Sequence, residues 1–172
     1  MRRGQAVSTD YIVGVAIFLL LLGAITMMWE KTVYRVAADY KIREMTYATA
    51  RAADLLVKSP GTPNNWEQNT STLKAVGAAQ DDRVLSDAKL TSITGLNYTA
   101  VRKYLGVGEF DVYVRVENAT GSLKYELGSP PNGEITVNVR RYCTLNGVGA
   151  VVDVRVWDGG VGSALPPVYE IR

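Results

Sequence analysis

The sequence predicts an α+β fold, with a long N-terminal helix packed on a small antiparallel β-meander. Three observations predict it. Residues 11–29, YIVGVAIFLLLLGAITMMW, carry no charge. Apolar residues then recur at spacings of three and four toward Lys58, with no Gly or Pro between Glu30 and Ser59. From Phe110 onward the period changes to two in four successive segments.

The uncharged run comes first. At about 1.5 Å per residue it makes roughly 28 Å of helix, close to the ~30 Å hydrocarbon thickness of a bilayer. Asp10 and Glu30 bound it, and Thr26 is its most polar member. Arg2 and Arg3 precede it, so the positive-inside tendency puts the N-terminus in the cytoplasm and the rest of the chain outside. A run of this kind has three uses. A cleaved secretory signal is disfavoured, because the run exceeds the usual 7–15 residues of an h-region and no A-x-A site with a loop follows it. An uncleaved signal-anchor fits the length.

The third use rests on the residues before the run, Arg2-Arg3-Gly4-Gln5-Ala6-Val7-Ser8-Thr9-Asp10. A basic pair, Gly, Gln, and an acid six residues after the Gly lead straight into the apolar helix. This resembles the class III signal peptide of archaeal type IV pilin-like proteins. The resemblance is confined to the leader and the apolar helix. It implies that a prepilin-type peptidase cuts on the cytoplasmic side between Gly4 and Gln5, removing the basic leader residues Arg2 and Arg3. It implies that Asp10 serves filament assembly, standing where the family more often has Glu. It implies a lollipop-shaped structural subunit, major or minor, that begins as a membrane precursor with its head outside. The subunit then joins copies of itself or other pilins in an extracellular filament.

The chain then divides into a cleavable leader over 1–4, a long helix over 5–58 with 5–29 as its membrane or filament-core part, and an extracellular α+β head over 59–172. A single helix over 5–58 would be about 80 Å long. Its second half carries Val33, Val36, Ala37, Tyr40, Tyr47, Ala48, Ala52, Leu55 and Leu56, a stripe expected to pack on the head. Gly14 and Gly23, with Ala16 and Ala24, permit close helix approach. Ser59-Pro60-Gly61 ends the helix.

The head opens with a turn-rich loop whose only large apolar anchor is Trp66. Helical segments are expected at 84–94 and at 97–105, the latter capped by Asn97. Strands follow on the alternations Phe110/Val112/Val114/Val116, Leu123/Tyr125/Leu127, Ile135/Val137/Val139 and Val148/Ala150/Val152/Val154/Val156. Asn146-Gly147 marks a two-residue hairpin turn between the last two. Pro130-Pro131-Asn132-Gly133 is read as the loop between the second and third, and Val168–Ile171 as a short edge strand.

Composition excludes more than it assigns. The 172 residues carry a formal net charge of +2 with no Lys/Arg run, which removes a nucleic-acid footprint. No histidine is present, and the lone Cys143 forms neither an intrachain disulfide nor a cysteine metal cluster. Cys143 shares a strand face with Val137 and Val139 and reads as a small core residue. Asp81-Asp82-Arg83 reads as a solvated turn rather than a metal site, and Gly106-Val107-Gly108 as a turn rather than a phosphate loop. No catalytic, cofactor or metal residues are named, and the expectation is a protein that is not an enzyme. Arg115, Arg140, Arg141 and Arg155 suggest a basic strip on the outer sheet face, better explained by cross-strand pairing with nearby acids. Three Asn-x-Ser/Thr triplets, at Asn69, Asn97 and Asn118, are candidate N-glycosylation sites in a head outside the cell, with Asn69 and Asn118 ranked higher as turn residues. The alternative to filament assembly is a single-pass anchored binding or sensor domain that does not assemble.

Overall fold

A computed structural model describes residues 9–131 and 135–159. The chain divides between Lys41 and Ile42 into an N-terminal helical unit and a head. Helix α1 runs without a break from Thr9 to Lys58. The Ser59 amide still bonds the Leu55 carbonyl at 3.1 Å, and Pro60 then has no N–H with which to continue the ladder. Residues 5–8 of the expected helix lie outside the described residues.

Within the head, α1 buries Met45, Thr49, Ala52, Ala53, Leu56 and Val57, which fall on one face at helical spacing. Thr49 is tolerated there because its hydroxyl donates to the Met45 carbonyl at 2.6 Å. Five expected members of the stripe do not join it. Tyr47 follows Met45 by about 200° around the helix and faces solvent, and Val33, Val36, Ala37 and Tyr40 are exposed on the N-terminal unit.

Two short hairpin strands follow, β1 (Ala79–Asp81) and β2 (Val84–Leu85), joined at Arg83. Helices α2 (Asp87–Thr94) and α3 (Tyr98–Leu105) come next. Asn97 caps α3 through its Oδ1, which accepts from the Thr99 amide at 2.9 Å. Then come β3 (Asp111–Asn118), β4 (Leu123–Leu127), β5 (Thr136–Leu145) and β6 (Val148–Trp157). The β5–β6 turn is Asn146-Gly147, both residues with positive φ (53° and 76°), the geometry of a twisted two-residue hairpin.

The α+β class and the packing of helix on sheet stand as expected. The sheet itself is mixed and six-stranded, in the order β1-β2-β5-β6-β3-β4. Strand β6 lies between β5 and β3, so β4 and β5 are not neighbours and the expected meander is replaced by an inserted central strand. The segment read as a helix from Val84 begins instead as β2, which pairs in parallel with β5 and leaves the helix to start at Asp87. Asn132, Gly133 and the segment Val168–Ile171 lie outside the described residues.

The inner sheet face carries Val112, Val114, Val116, Cys143, Leu145, Ala150, Val152, Val154 and Val156 against α1, α2 and α3. Trp66 is 0% exposed and its indole N–H donates to the Gly77 carbonyl at 3.1 Å. Gly77 is required there, since a Cβ would sit 2.1 Å from the Ser59 carbonyl oxygen. The Lys89 side chain is buried, and its ammonium donates to the Pro60 carbonyl (2.8 Å), the Ala79 carbonyl (3.0 Å) and Asn64 Oδ1 (3.3 Å). One cation thus satisfies three loop acceptors and pins the loop after α1 to α2.

Candidate functional site

The N-terminal part of α1 is the most unusual surface of the chain. From Tyr11 to Trp29 its side chains point to every side of the helix and are exposed, with Gly23 alone half-exposed. Leu20 is 75% exposed and Trp29 72%. Mean hydropathy over the most apolar window is 2.5, with no buried residue in it. A helix apolar on all sides is stable only when something apolar surrounds it. Its length and composition suffice to span a membrane. The backbone is self-satisfied by helical bonding, and the hydroxyls of Thr26 in the run and Thr32 just beyond it are satisfied locally. Thr26 Oγ1 donates to the Gly23 carbonyl at 2.9 Å and Thr32 Oγ1 to the Met28 carbonyl at 2.8 Å. Tyr11 and Trp29 stand at the two ends of the run, where amphipathic rings favour the membrane–water boundary.

Asp10 stands in the first turn of α1. Arg2, Arg3, Gly4 and Gln5 lie outside the described residues, so the leader motif stands on its sequence. Asn69 and Asn97 are exposed, and Asn118 is half-buried at the end of β3. The three are not gathered into one site: they cap the short helical turn Thr70–Thr72, cap α3, and begin the β3–β4 turn respectively.

The outer sheet face carries the charged residues, and most of them are paired. Asp153 is buried, and its Oδ2 accepts from Arg155 Nη2 at 2.9 Å, with Arg140 Nε at 3.6 Å. Arg115 Nη2 meets Glu117 Oε1 at 2.6 Å. The Tyr113 hydroxyl donates to Glu126 Oε1 at 2.7 Å beneath the Arg155 guanidinium, which lies 5.8 Å from the ring centre. Asp153 raises the pKa of Arg155 through that hydrogen bond. Charge pairing thus accounts for the strip, but not chiefly across strands as expected: Arg155–Asp153 and Arg115–Glu117 each lie two residues apart on one strand, and Arg140–Asp153 alone of these ion pairs joins neighbouring strands. Arg141 departs from the strip: its register places it between Val139 and Cys143 on the inner face, where its Nε bonds Asp54 Oδ1 of α1 at 2.8 Å. Its neighbours in sequence concealed this, since Arg140-Arg141 reads as one basic pair although strand alternation sends the two to opposite faces.

Among the described residues no group of three or more Asp, Glu, Cys or His lies close enough to hold a metal ion. Asp81, Asp82 and Arg83 form the β1–β2 turn, with Asp81 Oδ1 accepting from the Asp82 amide at 2.8 Å. Gly106-Val107-Gly108 links α3 to β3. Cys143 is buried, and burial pushes its thiol up to about 11, so it stays protonated and inert at neutral pH. The head's core holds a gap of about 20 Å³ lined by Leu56, Leu90, Ile93, Leu105 and Val114, which has room for about one water.

No curated protein and no solved structure matches the chain. A family model does match, over residues 1–157, from the first residue through the end of β6. The chain therefore belongs to DUF7287, a family of unknown function.

Proposed function

We propose that the chain is a structural subunit, major or minor, of a type IV pilus-like surface filament of the archaeal kind. The observation that carries the reading is the continuity of α1. One unbroken helix presents a fully exposed apolar surface from Tyr11 to Trp29 and contributes Met45 to Val57 to the core of the head. Such a helix serves equally as a membrane anchor before assembly and as an apolar filament core afterwards. The leader Arg2-Arg3-Gly4-Gln5 followed by Asp10 supports the second use, which a plain anchor does not require.

The physics of the step is direct. Cleavage between Gly4 and Gln5 removes Arg2 and Arg3, the cationic flank that holds the N-terminus at the cytoplasmic surface. It also creates a free α-amine at Gln5. Asp10 lies at the edge of the apolar run, where an unpaired carboxylate is costly. Its partner is the Gln5 amine of a neighbouring subunit. Opposite charges ~4 Å apart attract by about 4 kcal/mol at an effective dielectric of 20, before desolvation is subtracted.

The test is the mass of the N-terminal peptide of protein from native membranes or surface filaments, followed by the Asp10→Ala variant. A peptide beginning at Gln5 is expected. The variant is expected to be inserted and clipped normally while its incorporation into filaments falls at least tenfold, about 1.4 kcal/mol. A peptide beginning at Met1 or Arg2 would leave a single-pass anchor carrying a binding domain. Normal incorporation of the variant would remove the amine-pairing role.

A further inference from the structure

Filament assembly leaves the three Asn-x-Ser/Thr triplets unused, and the structure separates one of them from the others. Eight asparagines and twenty-two serines and threonines in this chain predict about one such triplet by chance, so three alone decide little. In each, the Asn Oδ1 accepts from the backbone N–H two residues on: Ser71 at 3.1 Å, Thr99 at 2.9 Å and Thr120 at 3.1 Å. Only at Asn118 do the two functional groups of the triplet also touch. The Thr120 hydroxyl donates to Asn118 Oδ1 at 2.7 Å, and the Ser122 amide adds a third donor at 2.8 Å.

Three donors on one carboxamide oxygen draw the nitrogen lone pair toward the carbonyl and make the Nδ2 protons more acidic. They also fix the plane of the amide. No described residue accepts from Nδ2, which leaves it available to react. Residues 119–122 around it are exposed. The turn is held independently by Gly121 N–H to the Asn118 carbonyl (2.9 Å) and by Ala119 N–H to the Gly149 carbonyl at the β5–β6 end (2.8 Å). A bulky group on Nδ2 would therefore extend from a surface turn without displacing core side chains.

We propose that Asn118 is N-glycosylated. The donor is a lipid-linked glycosyl diphosphate: the Nδ2–C1 bond forms as the C1–O bond to the diphosphate breaks. The lipid diphosphate leaves with the electron pair, and the amide proton passes to a base of the transferring enzyme. The proposal rests on the preceding reading only in placing the head outside the cytoplasm.

The experiment is peptide mass spectrometry of the full chain purified from its native membranes. Trypsin releases Val116–Lys124, cutting after Arg115 and Lys124. That peptide is expected to carry a glycan mass and to yield sugar fragment ions. The shift should vanish in Asn118→Gln and Thr120→Ala, and persist in Thr120→Ser and Ser122→Ala. An unmodified Val116–Lys124 peptide overturns the proposal, whether or not the Asn69 and Asn97 peptides are modified. The same digest reports the N-terminus separately. Unmodified Asn118 with a Gln5 start sinks the glycan alone, whereas modified Asn118 with a Met1 start sinks the filament reading alone.

Discussion

Between Tyr11 and Trp29, helix α1 presents large apolar side chains on every side, and they are exposed; between Met45 and Val57 it presents one narrow face, and that face is buried. Both stretches have ordinary helical geometry, and both lack a helix-breaking proline. The difference is in what completes each. The second stretch uses small residues, Ala48, Ala52 and Ala53, on or beside its buried face, and that face joins the core of the head. The first uses Ile, Leu, Phe and Met all round, which no single sheet face can cover. The hydrophobic content of a helix therefore does not tell whether it is folded core. The angular spread of that content does.

Matched leucines test this most strongly. Leu56 is 2% exposed, and Leu56→Ala should destabilise the head by about 2–5 kcal/mol, through lost burial and a residual cavity beside the existing gap. Leu20→Ala makes the same chemical change on the same helix and should leave the head's unfolding transition unmoved. Both are read by thermal unfolding of the full chain in detergent, following the near-UV circular dichroism of the head's tryptophans. A comparable loss in Leu20→Ala would mean that the two ends are one cooperative unit.

A charge sharpens the comparison in the other direction. Leu20→Lys places an ammonium at the middle of the apolar run, where membrane insertion is disfavoured by about 2.5–3.5 kcal/mol. Recovery of the chain in the membrane fraction should fall while the soluble head keeps its near-UV spectrum. Unchanged membrane recovery would show that the run does not span.

The uncharged run was legible in the sequence because its pattern is local, whereas the stripe expected from Val33 to Leu56 shares only Ala52 and Leu56 with the buried face. The uncharged run, the Asn97 cap, the Asn146-Gly147 turn, the anchor Trp66 and the four alternating segments each depend on residues within one turn or strand of each other. What was not legible depends on pairing across the chain. The β1–β2 hairpin has only three and two residues, too few to show a period, and its Val84-Leu85 resembles the start of the helix that follows. The insertion of β6 between β5 and β3 leaves each strand's own alternation unchanged, so no local pattern records it. Lys89 gives no warning of burial, because the three acceptors that make it tolerable come from residues 60, 64 and 79. At the candidate site the triplets were legible and their difference was not. The contact between Thr120 and Asn118 exists only once the β3–β4 turn has formed.

The smallest expected effect lies at the charged margin of the buried stretch. Asp54 bonds Arg141 of β5 at 2.8 Å and Lys58 at 3.0 Å, and these bonds, Arg141 first, hold its carboxyl below the ordinary value of 3.8 despite some opposing desolvation. A carboxyl whose folded pKa is depressed binds fewer protons folded than unfolded. Its contribution to stability is therefore whole above pH 3.8 and is lost as pH falls through the lower folded value. The Asp54 side chain is 39% exposed, so solvent screening limits the contribution to less than about 1 kcal/mol. Asp54→Asn should cost that much at pH 7, cost progressively less as pH falls below 3.8 and through the lower folded value, and flatten part of the acid limb of the head's stability curve. Asp39→Asn, an exposed position on the N-terminal unit, should leave the curve unchanged. An identical acid limb in Asp54→Asn would mean that apolar packing alone fixes α1 on the sheet. A matching loss in Asp39→Asn would mean that the exposed stretch also carries ties to the head, and the division of α1 at Lys41 would have to be redrawn.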